Sequence, residues 1–247
     1  MGFMDVKKIS EQGREVKLLV SGSDTPLLNA VRRTILNNVP TLAIESVWVY
    51  ENNSVMPDEM LSHRMAMLPI AFLGKGKPDT AKFALEKEGP GMVYSGDITC
   101  TTANAEIVDK KIPLVLLGKN QRVKTEMEGI LGTGKQHVKW QSASIAYYQV
   151  PQLSFERVKD TDAITKAFPN ALEVKAKKLF LADPYNAKQA TEIRDRFPNE
   201  VNLEFDEKSF VLSVESNGGR TNAEILEAAI ESLKEKNQEF KEALKSL

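Results

Sequence analysis

The chain has 247 residues, of which 42% are hydrophobic and 27% charged, and its formal net charge is −1. That length can bury a substantial core and holds more than one module, while the near-zero charge argues against a nucleic-acid-coating protein, which needs a basic excess. A single cysteine, Cys100, excludes an intramolecular disulfide and any multi-cysteine metal site, which fits a reducing cytoplasm.

At the N-terminus, MGFMDVKKIS lacks the apolar core of a secretory signal. Val6 stands where a myristoylation motif favours Ser or Thr. No apolar run in the chain approaches the ~20 residues that cross a bilayer. Residues 14–20, REVKLLV, alternate Val16, Leu18 and Val20 with polar neighbours and predict a half-buried strand. Gly22 and Ser23 turn the chain into a helix. Asp24 or Thr25 accepts a hydrogen bond from a free N–H at its start, and Pro26 sits where a missing N–H costs nothing. Val39-Pro40 closes it, because a residue before proline is pushed out of the α region. Leu27, Leu28, Val31, Ile35 and Leu36 form its apolar face; Arg32 lies at the edge and Arg33 points away.

An extended run from Leu42 to Tyr50 and a polar turn at Glu51–Ser54 follow. Met56 to Leu68 predicts a second helix, with Asp58 and Glu59 in its first turn facing the positive end of the dipole and Pro69 ending it. Glu59 and His63, four apart, share a face. They read as a surface hydrogen bond or ion pair. An acid–base or zinc role finds no HExxH pattern, nucleophile or further ligands beside them. Residues 73–91 read as loop-rich, and GKGKPD lacks the spacing of a phosphate loop. From Met92 to Trp140, MVYSGDIT, IPLVLL, QRVKTEMEGIL and HVKW recur as short β-type runs, the pattern of a compact β insert. Trp140 alone reads as a core or interface aromatic.

Residues 201–216, VNLEFDEKSFVLSVES, predict two alternating strands about an Asp-Glu-Lys turn. After Asn217-Gly218-Gly219, Thr221 and Glu224 form a capping box. The last helix carries Leu226, Leu233, Phe240 and Leu247 at seven-residue intervals, widened by Ala229, Ile230 and Leu244. Such a stripe is either internal core or a surface for a partner helix.

RRTILNNVPTLAIESV and ENNSVMPDEMLSHRMAMLPI resemble the signature of the D-subunit family of archaeal RNA polymerase, counterpart of the third-largest eukaryotic subunit and of the bacterial α N-terminal domain. EGPGMVYSGDI, IPLVLLGKNQRV and GTGKQHVKWQSASIAYY resemble the insert domain of the same family. The resemblance runs from about Val16 to Leu244 and implies an α+β fold. It implies a discontinuous dimerisation domain, a sheet plus two helices, built from residues 1–47 and 200–247. This domain is interrupted by a mostly β insert at 48–162 and a ferredoxin-like module at 163–199.

Bacterial-type ferredoxins hold clusters with C-x2-C-x2-C-x3-C-P. Here Ala187, Ala190, Ile193 and Phe197 occupy the cysteine positions before Pro198, and Phe168-Pro169 resembles the earlier Cys-Pro pair. The resemblance therefore implies a degenerate module that has lost its iron–sulfur cluster, with no cofactor and no metal. It also implies a non-catalytic assembly platform. The chain would heterodimerise with the small L subunit, join subunits N and P, and nucleate assembly of the largest and second-largest subunits. The largest subunit would carry the nucleotidyl-transfer chemistry, and this chain would make no sequence-specific DNA contact. Regions implied to meet partners are the first helix (Leu28, Asn29, Val31, Arg32, Arg33, Ile35), the DEMLSHR segment (Asp58, Glu59, His63, Arg64) and the last helix (Leu226, Ala229, Ile230, Leu233, Phe240, Leu244). Arg33 suits an ionic contact, since a guanidinium clamps a carboxylate in two places. An α-like homodimer and an iron–sulfur electron-transfer protein stand as alternatives.

Overall fold

The computed structural model describes residues 4–72, 80–102, 105–155, 158, 161–175 and 178–245. The GKGKPD stretch (74–79) and Leu247 lie outside them. The fold is mixed α/β, with fourteen strands and five α-helices among the described residues.

In chain order, β1 (Asp5–Gln12) and β2 (Glu15–Ser21) precede α1 (Thr25–Asn37). The Asp24 carboxylate accepts a hydrogen bond from the Leu27 N–H at 3.0 Å, so Asp24 rather than Thr25 supplies the side-chain cap. β3 (Thr41–Asn52) leads into α2 (Asp58–Ala66), which is shorter at both ends than its sequence pattern predicts: Pro57 takes the N-cap position and Met67 the C-cap. β4 (Ile70–Phe72) is followed by β5 (Thr80–Glu88). β5 corrects the loop expected across 73–91. TAKFALEKE buries Ala81, Phe83 and Leu85 on one face, a period of two that the flanking Gly and Pro residues masked.

β6 (Gly91–Tyr94), β7 (Thr99–Cys100), β8 (Ala105–Ile107), β9 (Pro113–Leu117) and β10 (Arg122–Gly132) come next. HVKW is a 3-10 turn at Val138–Trp140 rather than a strand; the His137 ring nitrogen accepts from the Lys139 N–H and caps it. β11 (Ala143–Phe155), α3 (Thr161–Ala167), β12 (Leu172–Lys175), β13 (Lys178–Leu181) and α4 (Ala187–Arg196) follow. β14 (Val201–Ser216) is one sixteen-residue strand and corrects the two-strand expectation. Asp206 accepts from the Lys208 N–H at 2.9 Å, a local carboxylate bond that satisfies the backbone of the Asp-Glu-Lys stretch without reversing the chain. The capped helix α5 (Asn222–Lys245) ends the described chain.

Two compact units emerge. One comprises residues 1–12, 16–29 and 146–213. It contains most of a four-stranded sheet ordered β1-β2-β14-β11 and the β12–β13 hairpin. Tyr147 and Phe210 pack edge-to-face there at 6.2 Å. The other comprises residues 13–15, 30–145 and 214–247. Its antiparallel sheet runs β3-β10-β5-β7, and α2 closes one face by burying Leu61 and Met65 against Ile44, Phe83 and Met127. β10 is the central strand. Thr125, Glu126, Met127 and Glu128 pair with Val49, Trp48, Val47 and Ser46 on one side and with Leu85, Ala84, Phe83 and Lys82 on the other.

Candidate subunit interface

α1 divides as its period predicts. Leu28 and Ile35 are buried, Val31 and Leu36 half-buried, and Arg33 is exposed. Leu27 departs from the expected apolar face: at 40% exposure it sits on the outer edge of the first turn. Asn29 and Arg32 are half-buried and Arg33 lies on the solvent side, so the polar residues form a flank beside the apolar stripe.

On α2, Asp58, Glu59, His63 and Arg64 are all exposed. Asp58 is held by the Asn52 amide at 2.7 Å, and the same amide reaches the Met56 carbonyl at 2.9 Å. The Arg64 guanidinium donates to the Pro113 carbonyl. No hydrogen bond or ion pair joins Glu59 to His63, and no metal-binding cluster of His, Cys, Asp and Glu occurs among the described residues. Sequence reasoning missed the methionines here. Met60 and Met67 are exposed beside those charges, and Val55 is 88% exposed. A flexible thioether on a surface suits adaptable packing against another chain, and the density of Met between 56 and 67 was the available signal.

α5 behaves differently along its length. The capping box forms as predicted: Glu224 accepts from the Thr221 N–H and hydroxyl, both at 2.8 Å, and its own N–H donates to the Thr221 hydroxyl at 3.3 Å. These two Thr221 donors, with the Arg220 charge, hold the Glu224 carboxyl below its usual range. Ile225 and Ala229 are buried, while Leu226 and Leu233 are half-buried. Ile230, Phe240 and Leu244 are exposed, and every described residue from Lys234 onward faces solvent. Ile225 was absent from the seven-residue series; its signal was its spacing of four from Ala229 directly after the cap. Lys236 reaches across to the Asn38 side chain at 2.9 Å and ties the helix to the end of α1.

The residues at the expected cysteine positions lie in or beside a small apolar cluster. Ile164, Ala171, Leu172, Leu179, Ile193 and Val201 are buried, with Phe168 and Phe197 packed against them and edge-to-face at 6.5 Å. Ala190 is fully buried and Ala187 half-buried. Tyr148 donates its hydroxyl to the Tyr185 carbonyl at 2.9 Å, joining β11 to the loop before α4.

Two further anchors were invisible to the sequence. Arg14 clamps Asp109 through two bonds at 2.6 and 2.9 Å and also donates to the Asn217 carbonyl, so residues 95 and 203 positions apart meet at one side chain. The guanidinium holds the Asp109 carboxyl below its ordinary value. Lys139, in turn, stands 4.3 Å over the Trp140 ring, pairs with Glu45 and donates to the Ile44 carbonyl.

The signature of the RNA polymerase Rpb3/Rpb11 dimerisation domain matches residues 17–237. The chain is 31% identical over 253 residues to the DNA-directed RNA polymerase subunit Rpo3 of Thermococcus kodakarensis, covering 96% of both chains. It is 32% identical over 265 residues to that of Pyrococcus horikoshii, covering 99% of both. A third similarity, to Rpo3 of Methanocaldococcus jannaschii, is 48% identical over 126 residues, 49% of this chain and 63% of the relative. A signature spanning both α1 and most of α5, and full-length likeness to archaeal Rpo3 chains, place this protein in one family: it belongs to the Rpo3 family of DNA-directed RNA polymerase subunits, which carry the Rpb3/Rpb11 dimerisation domain.

Proposed function

We propose that this chain is the non-catalytic platform of an RNA polymerase, pairing with the small L subunit through α1 and α5 and then receiving subunits N and P and the two large subunits. One observation carries the reading. In a chain of a dimerisation-domain family, α5 beyond Ala229 presents Ile230, Phe240 and Leu244 to solvent at helical spacing amid Glu and Lys. Exposed apolar residues aligned on a long helix favour burial against a second helix. In the same reading, residues 1–47 and 200–247 form the dimerisation domain, 48–162 the insert and 163–199 a module that binds no cluster. The α2 residues Asp58, Glu59, His63 and Arg64, with Met60 and Met67, face another polymerase subunit. A cytoplasmic setting follows from polymerase membership. No helix among the described residues is long and apolar enough to cross a membrane.

Light scattering on the chain, alone and co-expressed with its L subunit, tests the platform. A one-to-one complex is expected, with a self-associating or unstable chain in its absence. A stable monomer that ignores L sinks the proposal, and a well-defined dimer of this chain alone replaces it with the α-like homodimer.

A further inference from the structure

The outer face of the β3-β10-β5-β7 sheet, opposite α2, carries two large aromatics that the subunit's own fold leaves uncovered. Trp48 is 50% and Tyr50 60% exposed. Trp48 lies directly across from Glu126, and Ser46 across from Glu128, in the β3–β10 register. Directly opposed side chains in such a pair stand about 5 Å apart at Cβ. On the far side of β10, Glu126 faces Ala84 and Glu128 faces Lys82. The small Ala84 leaves a hollow of about 380 Å³ floored by the sheet and walled by Trp48, Tyr50 and the two carboxylates. The Tyr50 hydroxyl donates to Glu126 at 3.0 Å and fixes that carboxylate beside the indole.

The charge balance of the hollow is two carboxylates against one ammonium, and Lys82 pairs with neither among the described residues. The molecule's other tryptophan offers an internal comparison. Trp140 has its face covered by Lys139 at 4.3 Å, with Glu45 alongside, whereas no cation of this chain stands over Trp48 among the described residues. An electron-rich indole face flanked by carboxylates attracts a cation. A flat guanidinium stacks on the ring while its N–H groups reach both acids, which an ammonium cannot do as well.

We propose that this face docks an arginine side chain presented by a segment of another polypeptide, stacked on Trp48 and paired with Glu126 and Glu128. The site is separate from α1 and α5 and stands whether or not the L-subunit pairing does.

The test uses the full-length chain and the peptide acetyl-Gly-Arg-Gly-amide, followed by tryptophan fluorescence as the difference between the native protein and W48F. The expected result is a saturable change with the arginine peptide, at concentrations about fivefold lower than for its lysine counterpart, and none with the citrulline peptide, which keeps the shape and loses the charge. E126Q/E128Q, both on the outer face, should weaken the arginine response about tenfold, because each removes a charge-assisted hydrogen bond. Equal responses to arginine and citrulline, no response at all, or an unchanged response in E126Q/E128Q overturns the proposal. A signal that instead tracks protein concentration without peptide assigns the face to a second copy of this chain and also overturns it.

Discussion

Gly132 shows how one missing atom decides a core. A Cβ there would lie 2.3 Å from the Trp140 ring, whose Nε1 donates to the Ile130 carbonyl at 3.2 Å. Gly132→Ala should therefore lower stability by about 1–3 kcal/mol, the range for overpacking a close-packed site; urea unfolding followed by Trp140 fluorescence reads this directly. In the apolar cluster around Ile193, burial ranks two substitutions that sequence alone would treat alike. Ile193 is fully buried and Phe197 half-buried. Ile193→Asp places an unpaired carboxylate among apolar side chains and should cost several kcal/mol, and Phe197→Asp should cost clearly less, about half as much, because water still reaches that site. Equal unfolding midpoints for both variants and the native chain would remove the packing role of this cluster. Visible absorbance of the purified protein checks the cluster itself: the cluster-less reading expects a colourless solution.

At the scale of elements, the N-terminal cap of α5 and the Arg14 clamp titrate in the same direction. The Glu224 and Asp109 carboxyls are both held below their unfolded values, about 4.3 and 3.9. Their contributions are complete above those values and fade as pH falls through the lower folded-state values. Stability should thus fall on acidification from about pH 5 downward, and E224Q/D109N should flatten that limb while leaving the curve above pH 6 nearly parallel to the native one. Thr221→Ala removes the hydroxyl that accepts from the Glu224 N–H and should lower stability by about 1 kcal/mol. The distal half of α5 predicts a separation of effects. Phe240→Asp and Leu244→Asp touch exposed positions and should leave thermal unfolding of the isolated chain within about 0.5 kcal/mol. Co-expressed with L, the same variants should give no one-to-one complex by light scattering. Ile225→Asp, at a fully buried position, should unfold the chain itself.

For the whole molecule, distant segments meet where local chemistry gives no hint of it. Arg14, Asp109, Asn217 and Asn222 converge through the Arg14 guanidinium and its backbone carbonyl, which accepts from the Asn222 amide at 3.0 Å. Gly218, with φ of +95°, passes so close that a Cβ would lie 2.8 Å from the guanidinium carbon. Features set by neighbours within a turn or two were legible in the residues. The Asp24 and Thr221 caps, the α1 face of Leu28 and Ile35, the proline stops and the strand character of 14–20 and 42–50 depend on i to i+4 relations. So did the family resemblance, carried by long contiguous strings. β5 between Gly/Pro-rich flanks, the uninterrupted β14 and the central place of β10 depended on pairing with strands far along the chain, and only those partners supply the missing hydrogen bonds. Local pattern also left open whether the α5 stripe was core or surface. Tertiary packing decided it residue by residue: Ile225 and Ala229 are covered, and Ile230, Phe240 and Leu244 extend past what this chain can bury. Amphipathic period specifies that a face is apolar; what covers that face is a property of three-dimensional neighbours, which no spacing along a single helix encodes.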